Sequence, residues 1–218
     1  MIRDKLALNR LDTFYSNKFR DLRVNVEHRL KNKKDHIIVI TSANQGDGKS
    51  YCALHLALAF AEANRKVLLI DYDLHRSQLS KNIYYGYHGV SAMFNDQLAL
   101  EDALIPVGEN ISFLPSGYTS LDPSVVANSK QIYSEINRCA ADYDVVLIDS
   151  PPINFSPDTK FIISEFKNLL FIIGANHTQT SEVTKAFEQM QLINPTILGL
   201  VLNKKQFSKK EYKRYEYK

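Results

Sequence analysis

The stretch that most narrows what this chain folds into runs from His36 to about residue 64. His36-Ile37-Ile38-Val39-Ile40-Thr41 is short and almost wholly apolar. Ala43-Asn44-Gln45-Gly46-Asp47-Gly48-Lys49-Ser50 follows, with two glycines, and then a long Ala- and Leu-rich segment. An apolar run of that length reads as a strand buried on both faces. The segment after it has the length and pattern of a helix. Val67-Leu68-Leu69-Ile70-Asp71 is a second apolar strand, so the three pieces form a βαβ unit with a right-handed crossover.

The alternation continues to the end of the sequence. Residues 13–32 read as a helix, with Phe19, Leu22, Val26 and Leu30 on one face, and Lys31 to Asp35 as a polar linker. Ile111 to Pro115, Val145 to Asp149, Leu169 to Ile173 and Ile197 to Leu202 read as strands. Pro123 to Ala141 reads as one helix opening with Pro in its first turn, and residues 180–193 as another. The fold class is therefore α/β, a mostly parallel sheet covered by helices on both faces. Three regions are expected: an N-terminal helical segment over 1–34, the sheet domain over 35–203, and a flexible basic tail over 204–218.

Charge separates the ends from the body. Of the net +3, residues 1–34 carry +6 and residues 204–218 carry +5, which leaves −8 for the middle. An acidic body with basic ends does not fit a nucleic-acid reader, which carries its basic face on the folded domain. It suits basic arms that meet an anionic membrane surface or a partner, or ends that are simply solvated. No apolar run approaches the length of a membrane span, and Met1-Ile2-Arg3-Asp4-Lys5 is too polar for a signal peptide. Cys52 and Cys139 lie far apart in apolar helical stretches and read as buried thiols, which points to the cytosol.

The chemistry gathers at the ends of the strands. Ala43-x4-Gly48-Lys49-Ser50 matches the phosphate-loop pattern in its required setting, after a strand and opening a helix. Backbone N–H groups bent around Gly46 and Gly48 can surround phosphate oxygens, and the helix N-terminus adds a favourable dipole. Lys49 reaches the β- and γ-phosphates and the Ser50 hydroxyl ligates magnesium in that pattern. Asp71 and Asp73 lie just past the second strand, and Asp149 ends another. In an open parallel sheet these positions converge on the loop's mouth. A magnesium ion bound to phosphates takes oxygen ligands, and Asp149 is the natural candidate. Each Asp alone reads equally as a cap or turn former. Three of them ending apolar strands beside a phosphate loop do not.

Ser42 to Ser50, then Val67-Leu68-Leu69-Ile70-Asp71-Tyr72-Asp73-Leu74-His75-Arg76, then Asp144 to Pro152 resemble the three nucleotide motifs of bacterial tyrosine kinases. Gly117 to Pro123 and Gly199-Leu200-Val201-Leu202-Asn203-Lys204 also resemble that family, so the likeness runs from about Asn17 to the C-terminus. The paired Asp71 and Asp73 are its most specific part. The resemblance implies a P-loop NTPase architecture and an ATP- and magnesium-dependent autokinase. Its acceptors would be the C-terminal tyrosines Tyr212, Tyr215 and Tyr217, and its role the control of capsular or exopolysaccharide synthesis and export. It extends the nucleotide set, Ala43 to Ser50, to Tyr51 and Asn203. It places Lys49, Asp71 and Asp73 in catalysis, either acid serving as the base while the other helps hold magnesium, and makes Ser50, Asp73 and Asp149 the magnesium set. It further implies a split form, in which a cytoplasmic kinase is activated by the cytoplasmic end of a membrane adaptor and recruited to the inner face of the membrane.

The family's N-terminal helix carries Glu-x2-Arg-x2-Arg, an oligomer contact with other copies of the kinase. This chain has Arg20 and Arg23 but Asn17 at the Glu position, so charge-assisted pairing from there is lost. His75 stands where Arg is common and Tyr51 where Thr is common. The competing reading is a switch ATPase of the partitioning or division-site type. Those proteins carry a second lysine early in the loop, at the position of Asn44, and its absence argues against them. A third reading is a scaffold that binds ATP without consuming it.

Overall fold

The computed structural model describes residues 13–30, 36–84, 86, 88–118, 122–208 and 212. Its centre is a seven-stranded sheet: β1 (Ile37–Ser42), β2 (Val67–Asp71), β3 (Ile105–Pro106), β4 (Ile111–Leu114), β5 (Val145–Asp149), β6 (Asn168–Gly174) and β7 (Thr196–Asn203). The order across the sheet is β3-β4-β2-β5-β1-β6-β7. Every pairing is parallel except that of the two-residue β3 with β4. The apolar runs sit where their composition demands. All of β1, β2 and β5 is buried, whereas the edge strand β7 is largely open to solvent.

Side chains alternate across the sheet as period-2 geometry requires. Ile38 and Ile40 join one core layer with α1 (Thr13–Leu30) and α2 (Lys49–Glu62), through Val26, Leu56 and Phe60. Ile37 and Val39 join the opposite layer. There they meet Ile136 of α7 (Lys130–Ala140), Ile162 of α8 (Asp158–Phe166) and Ala186 of α9 (Thr180–Gln191). The doubly covered α/β sheet expected from the alternation is what forms. Phe19, Leu22 and Leu30 of α1 pack on the α2 layer, so the N-terminal helix shares the core of the sheet domain. The linker Lys31 to Asp35 lies outside the described residues.

The helix expected over Pro123 to Ala141 is two. α6 (Pro123–Ala127) starts with the Asp122 carboxylate accepting the Ser124 N–H at 2.9 Å. α7 then restarts after Ser129, whose hydroxyl accepts the Ile132 N–H. Ser is a strong N-cap, and here it opens a new helix where the apolar spacing alone reads as continuous. Three short helices lie between β2 and β3: α3 (Gln78–Ile83), α4 (Val90–Asn95) and α5 (Leu100–Ala103). They close the β2 side of the sheet, with Leu79 and Ile83 in one layer and Val90, Met93 and Leu100 in the other.

Candidate active site

Topology brings the acid-bearing strand ends to the phosphate loop. β1 lies beside β5, which lies beside β2, and Asp71 and Asp149 are direct register partners. The loop follows β1 and feeds α2. Gly46 and Gly48 both have positive φ, at 82° and 90°. A Cβ on Gly48 would sit 2.1 Å from the Asn203 amide nitrogen, so only glycine lets β7 close on the loop. The Ser42 hydroxyl donates to the Asn44 carbonyl at 2.7 Å, and the Asn203 side chain donates to the Asp47 carbonyl at 2.8 Å.

The three acids differ in what holds them. Asp71 is wholly buried and accepts three hydrogen bonds: from the Ser80 hydroxyl at 2.6 Å, the Ser80 N–H at 2.7 Å and the Asp73 N–H at 3.2 Å. Asp73 lies 3.6 Å from Lys49 Nζ, in an ion pair nearly closed to water. Asp149 is wholly buried and neither of its carboxylate oxygens has a hydrogen-bond partner. Burial pushes the Asp149 pKa well up; the Lys49 charge and the nearby Ser50 hydroxyl, which stands outside hydrogen-bond geometry, pull it back, and the charges of Asp71 and Asp73 add to the rise. Burial also raises Asp71, against the opposing bonds from Ser80.

Two adjacent buried carboxylates, one without a donor, are costly unless a cation approaches. The loop offers one end of such a site in Ser50. Among the described residues no three His, Cys, Asp or Glu side chains gather to hold a metal by themselves. Beside the loop, a cavity of about 820 Å³ opens between α1, the start of α2 and the chain after β7. Phe19, Tyr51, Cys52, Asn203 and Phe207 line it, and it reaches Gly48.

This architecture matches known proteins over nearly its whole length. A family model described as "ParA: NUBPL iron-transfer P-loop NTPase" matches residues 33–217, so the chain is a P-loop NTPase. It is 28% identical over 218 residues to "Tyrosine-protein kinase YwqD" of Bacillus subtilis (strain 168), covering 99% of this chain and 92% of the relative. It is 30% identical over 205 residues to "Putative tyrosine-protein kinase CapB" of Staphylococcus aureus, covering 93% of this chain and 90% of the relative. The chain belongs to the bacterial tyrosine-protein kinase family. A solved structure of the chimerical protein CapA2B2 superposes with a TM-score of 0.81 at 28% identity, covering 88% of this kinase and 85% of that chain.

Within the kinase, the structure gathers most of the residues that the motifs single out. Asp71 and Asp149 are neighbours in register, Asp73 pairs with Lys49 at the start of α2, and Gly48, Tyr51 and Asn203 line the adjoining cavity. Arg20 and Arg23 lie elsewhere, on α1. Arg20 donates to Asn17 at 2.8 Å and pairs with Glu62 of α2 at 2.9 Å, and Arg23 pairs with Glu27 at 2.7 Å. Asn17 thus accepts from Arg20 within the same helix and carries no charge. Tyr212 stacks on Phe14 of α1, with ring centroids 4.2 Å apart. Tyr215 and Tyr217 lie outside the described residues.

Sequence reasoning missed three residues and the bond made by a fourth, His75. Ser80 fixes Asp71 from α3, and no motif announces it. His75 reaches the buried Asp158 at 2.6 Å. His177 and Thr178, just past β6, both bond the Asp47 carboxylate. The rule that ligands gather beyond strand ends points to this last pair, since β6 adjoins β1.

Proposed function

We propose that this kinase transfers the γ-phosphoryl group of ATP to tyrosines of its own C-terminal segment, and that the reaction controls synthesis and export of a capsular or other extracellular polysaccharide. The observation that carries the phosphotransfer is Asp149. It is a buried carboxylate without a partner, in register with Asp71, beside a phosphate loop whose Lys49 already pairs with Asp73. Ser50 and Asp149 are the side chains that would hold magnesium. When bound, that ion neutralises charge developing on the β- and γ-phosphates.

The residues of the chain divide the rest of the work. N–H groups of the loop from Gln45 to Ser50 hold the phosphates, and Lys49 adds its charge to the γ-phosphate. The adenosine part occupies the cavity lined by Tyr51 and Asn203. Asp71 is saturated by donors and positions the loop bearing Asp73. Asp73 faces Lys49 and, once the phosphates draw the lysine away, accepts the proton of the tyrosine hydroxyl. Tyr212, Tyr215 and Tyr217 are the acceptors, presented to the site of another copy.

A membrane adaptor supplies activation. The basic ends of the chain suit the inner face of an anionic membrane, and among the described residues no helix is long and apolar enough to cross one. The test combines the kinase with Mg·ATP and the cytoplasmic fragment of an adaptor, and reads the products by mass spectrometry. Phosphate on Tyr212, Tyr215 or Tyr217, abolished by Lys49→Met, is expected. Free phosphate with an unmodified tail would mean a switch ATPase, and bound but unconsumed ATP a scaffold.

A further inference from the structure

Asp47 is an odd residue to find inside a loop built to receive an anion. Its carboxylate is wholly buried. One carboxylate oxygen accepts from His177 Nδ1 at 3.0 Å and from the Thr178 hydroxyl, and the other accepts the Asn44 N–H at 3.1 Å. Its backbone carbonyl takes the Asn203 amide at 2.8 Å. The phosphate loop, the turn after β6 and the end of β7 therefore meet at one residue.

The surroundings are shaped for this meeting. A Cβ on Gly174 would lie 2.6 Å from the Asp47 carboxylate oxygen, so glycine at the end of β6 is what admits the carboxylate. The turn holding His177 and Thr178 is itself tied down. Their N–H groups bond the Gly174 carbonyl at 3.1 and 3.0 Å, and the Ala175 N–H bonds Asn203 at 2.8 Å. The His177 ring also covers Gly46, with Nε2 at 3.1 Å from where a Cβ would stand. Because a carboxylate oxygen only accepts, the His177 nitrogen facing it carries the hydrogen.

We propose that His177 and Thr178 are positioning residues for ATP, acting through Asp47. By fixing the Asp47 carboxylate from outside, they hold the N–H groups around Gly46 and Gly48 in the curve that receives phosphates. This rests on the reading of residues 43–50 as the ATP phosphate site. Losing one charge-assisted hydrogen bond weakens a site that depends on it by about tenfold.

The experiment is calorimetric titration of Mg·ATP into the full chain, with steady-state phosphorylation beside it. His177→Leu is expected to raise the dissociation constant and KM about tenfold while kcat stays within about twofold. His177→Asn places an amide N–H where Nδ1 stands and is expected to restore affinity to within about threefold of the parent. His177 is partly exposed on a turn, so nucleotide-free melting should hold in both variants. Asp47→Ala combined with His177→Leu should bind no more weakly than Asp47→Ala alone. Parent-like affinity in His177→Leu, or a failure of His177→Asn to recover it, overturns the proposal. Lys49→Ala separates the two readings. If it too binds ATP like the parent, the phosphate-loop assignment fails; if it alone loses ATP, only the positioning role of His177 and Thr178 fails.

Discussion

Asp71 and Asp149 are register partners held in opposite ways. Asp71 has three donors and Asp149 none, although both are wholly buried. An unsatisfied buried polar group costs about 1–3 kcal/mol, and more when charged. Asp149→Asn is therefore expected to stabilise the metal-free kinase by about 1 kcal/mol while lowering magnesium-dependent turnover by about a hundredfold or more. Urea denaturation without magnesium and initial-rate assays check the two signs, and a destabilised variant would show Asp149 to be structural. His55 yields a pH prediction. It is buried between Phe19 and Tyr51, and desolvation pushes its pKa from 6.5 down to about 4. The depressed folded value means that protonation favours the unfolded chain. Its contribution is complete above pH 6.5 and is lost as pH falls through that window toward about 4. Relative to His55→Leu, the parent should lose stability progressively over that range, as read by thermal melts, and parallel curves would place the titration elsewhere.

At the scale of elements, legibility followed the length and purity of the apolar pattern. β1, β2 and β5 were readable within a residue because strands buried on both faces leave uninterrupted runs such as Val67 to Ile70. The phosphate loop was readable because its glycines have no substitute: Gly48 stands against Asn203 and Gly46 against His177. The short helices α3 to α5 were not readable, since four to six residues hold too little periodicity to register. Ser80 inherited that obscurity. Its role depends on where α3 lands, not on any spacing from Asp71. The break between α6 and α7 was hidden because Ser129 interrupts a run that keeps helical spacing on both sides. If its cap makes the break, Ser129→Ala should cost about 1 kcal/mol in urea denaturation with the m-value unchanged. No change would mean that packing of Val126 and Ile132 fixes the corner.

At the scale of the whole molecule, the described parts of the two basic ends come together. α1 and the chain after β7 flank the same cavity, which carries Lys18, Lys204 and Lys205 on its wall and reaches the phosphate loop at Gly48. The aromatic residues on these two segments also meet. Phe14 stacks on Tyr212, and Tyr15 and Phe207 close around the pair with centroids 6.1 and 6.4 Å from the Tyr212 ring. Under the proposed function, Tyr212 held on its own α1 is withdrawn from the site of any other copy, so transfer competes with this stacking. A stacked aromatic pair is worth about 0.5–1.5 kcal/mol beyond its buried area, which sets the released population of Tyr212 about two- to tenfold lower than in a chain without it. Phe14→Ala should raise the initial rate of Tyr212 phosphorylation by that factor, with the KM for ATP unchanged. Time-resolved mass spectrometry of the tail peptide measures it. A slower rate in Phe14→Ala would mean that the stack presents the tyrosine to the site instead of withholding it.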